Sequence, residues 1–214
     1  KSYFLFKESK LPFVTCKLAA SKDYLTINKK KAWITNPYSR GRVHLMRSKN
    51  DCIVTSSQTI IKDNPLLNCR INGLEKRSPV IMILDNKMKV PLDSKIFKSR
   101  SNLKIIIFYN VLNKKKANFY KKKNIKLIKI DLNEKNNNLD LIKTLLKISE
   151  LGFQRVFVEG GCRLVNSFLL NNLVNNFSLF ISKNKLKKNG SGSIKNYFNK
   201  FLKKKNLNIE KVNL

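Results

Sequence analysis

The feature that most restricts the fold is a pair of short, almost uninterrupted apolar runs, VIMIL at residues 80–84 and LKIIIFY at residues 103–109. Strands that are apolar on both faces are typical of parallel sheets covered by helices on each side. Segments with strand and helix character alternate along the rest of the chain, which favours the same architecture. The sequence therefore predicts a single α/β domain with a predominantly parallel central sheet flanked by helices.

The expected elements can be placed along the chain. Strands are expected at residues 12–20, 52–55, 80–84, 103–109, 125–130, 155–158 and 176–182, and helices at residues 38–50, 57–63 (or a turn), 114–123 (or a polar loop), 139–151 and 162–171. The helix of residues 139–151 is the clearest, since Asn138 can cap its start and Gly152 can end it. Its residues at helical spacing are Ile142, Leu145, Leu146 and Ser149.

The two ends of the chain suggest a domain cut from a longer protein. Residue 1 is Lys rather than Met, and we expect residues 1–11 to be the remnant of a linker and residues 12–214 to be the domain. Residues 208–214 are expected to begin a last strand that the end of the chain truncates. The chain lacks the apolar core of a signal peptide and any run of about 18 apolar residues. We expect a cytoplasmic protein without a membrane span.

The cysteines and the single histidine give no sign of a metal centre. Cys16, Cys52, Cys69 and Cys162 are scattered, and no CxxC pair or histidine cluster accompanies them. Zinc sites need such clusters, and a chain of this size does not depend on disulfides. We expect reduced and mostly buried thiols, no metal, and a surface position without a catalytic role for His44.

The net charge of +32 has two interpretations. A polycation can bind nucleic acid through counterion release, so a basic nucleic-acid-binding protein is one alternative. The lysines, however, occur in short scattered runs such as residues 114–116 and 121–123, without interleaved aromatic residues or a nucleic-acid-binding motif. We therefore expect no specific nucleic-acid partner, although a positive field would favour phosphorylated ligands.

Two segments carry the strongest signs of ligand binding. In VFVEGG, at residues 156–161, a strand ends in Glu159 and two glycines precede a helix. Such a turn lets backbone amides and the helix dipole approach a pyrophosphate, and the carboxylate lies where α/β folds bind ligands. The turn lacks the GxGxxG spacing of the dinucleotide fingerprint. Residues 55–70 combine hydroxyls with an Asp-Asn-Pro turn, which suits phosphate and ribose binding or ordinary turn chemistry equally well.

Five motifs occur in a distinctive order: PFVTCKLAASKD, WIT before an arginine-bearing helix, TSSQTIIKDNPLLNCR, VIMILDN and VFVEGG. Over residues 12–183 this series resembles the reductase domain of the bifunctional riboflavin-biosynthesis deaminase/reductase. The resemblance implies a dihydrofolate-reductase-like fold and NADPH as the cofactor. It also implies reduction of a phosphorylated pyrimidine, 5-amino-6-(5-phosphoribosylamino)uracil, by hydride delivery to C1′ of the opened ribose. A homo-oligomer, such as a dimer, and a zinc deaminase domain in the parent protein are implied as well.

The resemblance also implies roles for individual residues. The cofactor-binding residues would be Ala19, Trp33, Thr59, Asp63, Asn86, Gly161, Cys162, Arg163, Leu164, Val165, Asn166 and Ser167. The substrate-binding residues would be Lys31, Arg47, Leu67, Arg70 and Glu159. Lys17 and Glu159 would be catalytic: the lysine can supply a proton or a positive charge, and the carboxylate can orient the ribose hydroxyls. Arg47 and Arg70 would suit the 5′-phosphate or the pyrimidine.

The sequence departs from the family pattern at four points. Tyr24 replaces a glycine, so we expect the loop after the first strand to turn differently, and a short deletion follows. Lys31 and Asn86 each stand where the family has serine. Lys87 and Lys89 follow Asn86, and we predict that they bind the 2′-phosphate of NADPH. A reductase of the non-deaminated pyrimidine, or another enzyme of the dihydrofolate-reductase-like superfamily, remains an alternative.

Overall fold

The computed structural model describes residues 2–30, 34–99 and 103–195 of the 214-residue chain. Its main sheet has seven strands in the order β6-β5-β4-β3-β7-β1-β8, and every neighbouring pair is parallel. These strands are β1 (Phe13–Ala20), β3 (Cys52–Ser56), β4 (Val80–Leu84), β5 (Ile105–Tyr109), β6 (Lys126–Lys129), β7 (Arg155–Glu159) and β8 (Asn176–Ile181). The predicted α/β architecture is confirmed. Lys31, Trp33 and residues 208–214 lie outside the described residues.

Seven α-helices are described: α1 (Ser2–Ser9), α2 (Pro37–Ser48), α3 (Ser57–Asp63), α4 (Lys95–Lys98), α5 (Lys114–Lys122), α6 (Leu141–Glu150) and α7 (Cys162–Leu170). A second sheet pairs β2 (Leu25–Asn28) antiparallel with β9 (Gly190–Ser193). Short 3-10 helices lie at Glu75–Arg77 and Lys187–Asn189. The sequence predicted α2, α3, α5, α6 and α7, but not α1, α4, β2 or β9.

The main sheet separates two apolar cores. On one face, Cys16, Val54 and Val158 pack with buried residues of α6 and α7. On the other face, Ile53 and Phe157 pack with buried residues of α2, α3 and α5. Because side chains alternate along a strand, Lys17, Thr55 and Glu159 lie on the second face of three adjacent strands. Thr55 and Glu159 are close to the carboxyl ends of β3 and β7, and Lys17 is level with Glu159.

Helix α6 begins at Leu141, two residues later than the start that a cap at Asn138 predicted. Asp140 is the N-cap, and its Oδ1 accepts hydrogen bonds from the amides of Ile142 and Lys143. The side chain of Asn138 instead donates to the carbonyl of Asn136 in the preceding turn. The prediction of Asn138 as the cap was therefore wrong, whereas Gly152 does follow the helix, with a left-handed φ of 87°.

The buried face of α6 also differs from the spacing read in the sequence. Leu145 and Ile148 are buried, but Ile142 is 48% exposed and Leu146 38% exposed. The helix packs on the sheet through Leu145, Ile148 and the neighbouring Thr144. Several apolar stripes fit the periodicity of this sequence, and packing against the sheet selects one of them.

The turn after β1 keeps a left-handed residue where the family has glycine. Tyr24 has a φ of 62°, so the backbone adopts at this position the region that glycine enters most easily. The substitution therefore does not require a different turn here. Asp23 accepts hydrogen bonds from the Ser21 hydroxyl and from the amides of Leu186 and Lys187, and these bonds lower its pKa to about 2. This carboxylate joins the turn to the segment before β9.

Candidate active site

The parallel pairing of β1 with the carboxyl end of β7 brings the two expected catalytic residues together. Lys17 and Glu159 are direct neighbours in the parallel register of these strands. Arg47, from α2, faces the carboxylate and donates two hydrogen bonds to it, from Nε to Oε2 at 2.9 Å and from Nη2 to Oε1 at 2.7 Å. The site thus contains one carboxylate between two cations.

The ion pair between Arg47 and Glu159 is largely shielded from water. Side-chain exposure is 10% for the arginine and 16% for the glutamate. Burial alone would raise the pKa of Glu159, but the charges of Arg47 and Lys17 outweigh it and lower the pKa below its ordinary value. Nη1 of Arg47 also donates to the carbonyl oxygen of Asn68 at 2.8 Å. Arg47 therefore holds Glu159 in place rather than offering an unoccupied fork to a phosphate.

Lys17 is the more available cation of the pair. Its ammonium lies 5.6 Å from the centre of the Phe180 ring, and it has no hydrogen-bond acceptor within the described residues. Burial lowers its pKa, the charge of Arg47 lowers it further, and the charge of Glu159 opposes the change. An ammonium in these surroundings gives up its proton more readily than an exposed lysine does.

His44 was expected at the surface, but its ring makes hydrogen-bonding contacts in the fold. It is half-buried on α2, one turn before Arg47, and its Nδ1 lies 3.2 Å from the amide nitrogen of Arg70 and 3.1 Å from the carbonyl oxygen of Asn68. The Arg70 guanidinium donates to Oδ1 of Asn68 and is exposed. Helix α2 and residues 68–70 therefore form one hydrogen-bonded unit beside Glu159.

The glycine turn after β7 has the shape that the sequence suggested. A Cβ at Gly160 would lie 2.9 Å from Cδ2 of Leu164 and 3.1 Å from Oγ1 of Thr59, so only glycine fits there without movement. Gly161 is the N-cap of α7, makes no side-chain cap, and has open space where a Cβ would be. The hydroxyl of the expected cofactor residue Thr59 thus lies beside the turn.

The other expected site residues differ in how far they are exposed to solvent. Ala19 is partly buried on β1, Asp63 is exposed at the end of α3, and Asn86 follows β4 with Lys87 and Lys89 exposed beside it. Leu164 and Val165 are core residues whose side chains face away from solvent, so only the backbone of that helical turn could contact a ligand. Arg163, Asn166 and Ser167 lie on the solvent-accessible side of α7. Leu67 is 2% exposed with a φ of 57°, which also leaves only its backbone for a ligand.

Within the described residues, no group of histidine, cysteine and acidic side chains could hold a metal, and no helix is long and apolar enough to cross a membrane. All four cysteines are free, with Cys16, Cys52 and Cys69 buried and Cys162 partly buried, as predicted.

A family model for the RibD C-terminal domain matches residues 12–183. The chain belongs to this family. The riboflavin biosynthesis protein RibD of Aquifex aeolicus is 30% identical over 184 residues, which cover 85% of this chain and 49% of that protein. The 5-amino-6-(5-phosphoribosylamino)uracil reductase of Buchnera aphidicola from Acyrthosiphon pisum is 30% identical over 157 residues, covering 66% of this chain and 72% of that protein.

Solved structures agree with this assignment. The riboflavin biosynthesis reductase Rib7 of Saccharomyces cerevisia superposes with a TM-score of 0.70 at 25% identity, covering 87% of this chain and 80% of that one. The expected dihydrofolate-reductase-like fold is confirmed. This RibD C-terminal domain spans about half the length of the RibD proteins that it matches.

Some residues of this RibD C-terminal domain were missed by sequence reasoning. The backbone carbonyl of Asn68 and the ring of His44 contribute through tertiary contacts, which leave no pattern in the sequence. Thr55 follows Val54, the partner of Val158 on β7, and its fully buried hydroxyl has no partner within the described residues. The hydroxyl-rich end of β3 was noted in the sequence, but not this residue.

Proposed function

We propose that this RibD C-terminal domain is an NADPH-dependent reductase that converts 5-amino-6-(5-phosphoribosylamino)uracil into 5-amino-6-(5-phosphoribitylamino)uracil. The observation that carries the proposal is the pairing of Lys17 with Glu159, beside a glycine turn, in a chain of this family. The Buchnera relative, which bears the name of this activity, supports the choice of substrate.

The turn of Gly160 and Gly161 fits the pyrophosphate of a dinucleotide. The amides of Cys162 and Arg163 begin α7 and have no acceptor within the described residues, while the place of a Gly161 side chain is open space. Amides at a helix start favour an anion electrostatically. When bound, NADPH supplies the hydride; the chain's own residues bind and orient the reactants.

Lys17 would provide the proton that the reduction needs. Hydride addition to C1′ of the opened ribose forms a C–H bond and moves the π electron pair of the C1′–N bond onto nitrogen. That nitrogen then takes a proton from Nζ of Lys17, which is left neutral and is recharged from solvent. The lowered pKa of Lys17 favours this transfer.

Glu159 would accept hydrogen bonds from the ribose hydroxyls while Arg47 fixes its orientation. Because the fork of Arg47 is occupied, the exposed Arg70 is the better candidate for first contact with the 5′-phosphate. We also propose roles in ligand binding for Ala19, Thr59, Asp63, Asn86 and the start of α7. For the parent protein we propose a zinc deaminase domain and a homo-oligomeric assembly, as the resemblance implies.

The test is a spectrophotometric assay at the NADPH absorbance band, with the deaminated and the non-deaminated pyrimidine offered in turn. We expect NADPH oxidation with the deaminated compound. If only the non-deaminated compound is turned over, then that compound, and not the deaminated one, is the substrate. Absence of turnover with both, together with salt-sensitive binding of nucleic acid that NADPH does not affect, would favour the nucleic-acid alternative.

A further inference from the structure

The aromatic ring of Phe180 lies beside the proposed proton donor, on the edge strand of the main sheet. Strand β8 is the neighbour of β1 at this edge, and Phe180 is paired in register with Ala19. The centre of its ring lies 5.6 Å from Nζ of Lys17, within the range of cation–π interactions, and the residue is half-buried. Phe180 belongs to none of the five sequence motifs.

The surroundings of Lys17 differ on its two sides. Toward β7 lies the carboxylate of Glu159, held by Arg47 of α2, and both of these charges act on the Lys17 amine. Toward β8 the side chains on the same face of the sheet are Ser178, level with Lys17, and Phe180, and neither is charged. The Phe180 ring therefore faces the ammonium from the side away from Glu159.

An aromatic ring acts on this amine differently from an aliphatic side chain. Both exclude water, and burial lowers the pKa of Lys17, as the charge of Arg47 does. The face of an aromatic ring is also electron-rich, and it attracts a cation that has lost part of its hydration. The ring therefore opposes the loss of the proton, whereas an aliphatic side chain of similar bulk would not.

A proton donor in the proposed reaction has to remain charged near neutral pH. Glu159 supports that charge, but its oxygens already accept two hydrogen bonds from Arg47. Lys17 itself has no hydrogen-bond acceptor within the described residues. A ring face supports the charged form without adding an oxygen acceptor that would compete for the protons of the ammonium.

We propose that Phe180 is a positioning residue of this site: its ring holds the Lys17 ammonium beside Glu159 and keeps it charged until the substrate takes the proton. The part in proton donation rests on the proposed function, whereas the pairing of ring and ammonium rests on the geometry alone. Phe180 acts through Lys17 and not on the reacting atoms.

Two substitutions separate the electrons of the ring from its bulk. Phe180→Leu keeps an apolar side chain but removes the ring, and Phe180→Tyr retains a ring. Phe177→Leu is the matched control, because Phe177 lies on the same strand but packs against the opposite core. Melting temperatures of the native protein and the three variants establish that all are folded.

The first measurement is the titration of Lys17 itself, which does not depend on reductase activity. The protein is acetylated with acetic anhydride at a series of pH values, and peptide mass spectrometry gives the rate at Lys17. Only the neutral amine reacts, so the pH dependence of this rate reports the proton. In Phe180→Leu we expect Lys17 to lose its proton about 0.5 to 1 pH unit lower than in the native protein. In Phe180→Tyr and Phe177→Leu the change should stay below about 0.3 pH units.

The second measurement is kcat against pH with the deaminated pyrimidine and NADPH. In Phe180→Leu the fall of kcat at high pH should move downward by the same interval as the Lys17 titration, and KM should change by less than about threefold. A loss of packing alone would lower kcat without moving the pH at which it falls.

The outcomes separate this role from the reductase proposal. An unchanged Lys17 titration in Phe180→Leu, or an equal shift in Phe177→Leu, overturns the role of Phe180 even if pyrimidine reduction proceeds. A titration shift that the kcat of an active enzyme does not follow also overturns it. A shift specific to Phe180→Leu supports the action of the ring on Lys17 even if neither pyrimidine is reduced, a result that would overturn the reductase proposal alone.

Discussion

Glu159 binds Arg47 through two hydrogen bonds, whereas Lys17, its neighbour in the sheet, has no acceptor within the described residues. The two cations therefore differ in what they can do. Arg47 donates its hydrogen bonds to the carboxylate and to the Asn68 carbonyl, and these bonds hold its side chain in a fixed position. Lys17 keeps a proton that it can transfer, in surroundings that make its charged form less stable.

Replacing Lys17 by alanine should affect chemistry far more than cofactor binding. We expect kcat to fall by about 100-fold or more, as for loss of a general acid, with the Kd of NADPH changed by less than about threefold. Lys22→Ala, at an exposed lysine just after the same strand, is the control and should have near-native kcat. Equal losses in kcat and in NADPH affinity would contradict a chemical role for Lys17.

The pH profile provides a second check on Lys17. Only the charged amine can donate the proton, so turnover should fall as pH rises through its pKa. Because burial lowers that pKa, the fall should occur below the ordinary titration range of lysine. Steady-state kcat measured between pH 6 and 10 shows whether turnover begins to fall below the ordinary titration range of lysine.

Glu159→Gln should destabilise the fold because it leaves two cations without their carboxylate. Removing one partner of a shielded pair costs about 3 kcal/mol. Glu150→Gln breaks the exposed pair with Lys147 and should cost less than about 0.5 kcal/mol. Urea unfolding at pH 7 gives both free energies, and equal effects would mean that the Arg47 pair adds little.

The stability difference at Glu159 should depend on pH in a defined direction. The folded state lowers the pKa of this carboxyl, so it contributes stability that is complete above the unfolded value of about 4.3. That contribution is lost as pH falls through the lowered pKa. The gap between native protein and Glu159→Gln should therefore close in acid, which unfolding curves between pH 7 and 3 can follow.

The sequence alone predicted the strands that carry Lys17 and Glu159, with Glu159 at the end of β7 and Lys17 within β1. It could not show that Arg47 pairs with Glu159, which lies 112 residues away. It placed His44 at the surface because the Arg70 amide and the Asn68 carbonyl approach the ring only in the folded chain. Backbone partners of this kind have no signature in residue type.

Among the elements, the sequence predicted the seven strands of the parallel sheet but missed the small antiparallel pair of β2 and β9. The parallel strands are short apolar runs, so composition reveals them. Strands β2 and β9 contain Thr, Asn, Ser and Gly, and they pair across more than 160 residues. The contact of Asp23 with the amides of Leu186 and Lys187 fixes that pairing, and it arises only in three dimensions.

The β7–α7 turn allows its two glycines to be tested separately. Gly160→Ala should destabilise the domain by about 1 kcal/mol or more, because the added Cβ overlaps Leu164 and crowds Thr59. Gly161→Ala adds a Cβ in open space and should leave unfolding almost unchanged. If a pyrophosphate sits there, Gly161→Ala should still weaken NADPH binding, as measured by fluorescence titration. Unchanged NADPH affinity in Gly161→Ala would mean that the cofactor does not bind at this turn.

The turn after β4 is a second element with a testable role. Asp85 accepts the amides of Lys89 and Val90 and so fixes a turn on which Lys87 and Lys89 are exposed. Replacing both lysines by alanine should narrow the preference for NADPH over NADH, since the 2′-phosphate loses two cations. Lys104 and Lys126 are exposed at the amino ends of β5 and β6, whereas Lys87 and Lys89 follow the carboxyl end of β4. The double alanine variant of Lys104 and Lys126 is the control. An unchanged preference would exclude this turn as the phosphate contact.

At the scale of the whole molecule, 45 basic and 13 acidic residues leave a charge that the fold cannot neutralise. The described residues form four ion pairs, and three of them are at least partly exposed, so we expect repulsion among unpaired lysines to outweigh local attraction. Salt shortens the Debye length to about 8 Å at 0.15 M, and it should raise the melting temperature by several degrees relative to 0.01 M, while weakening binding of the anionic NADPH. Thermal melts in sodium chloride measure the first effect and calorimetry the second. A melting temperature that falls with salt would mean that paired charges, rather than excess lysines, dominate the electrostatics of the fold.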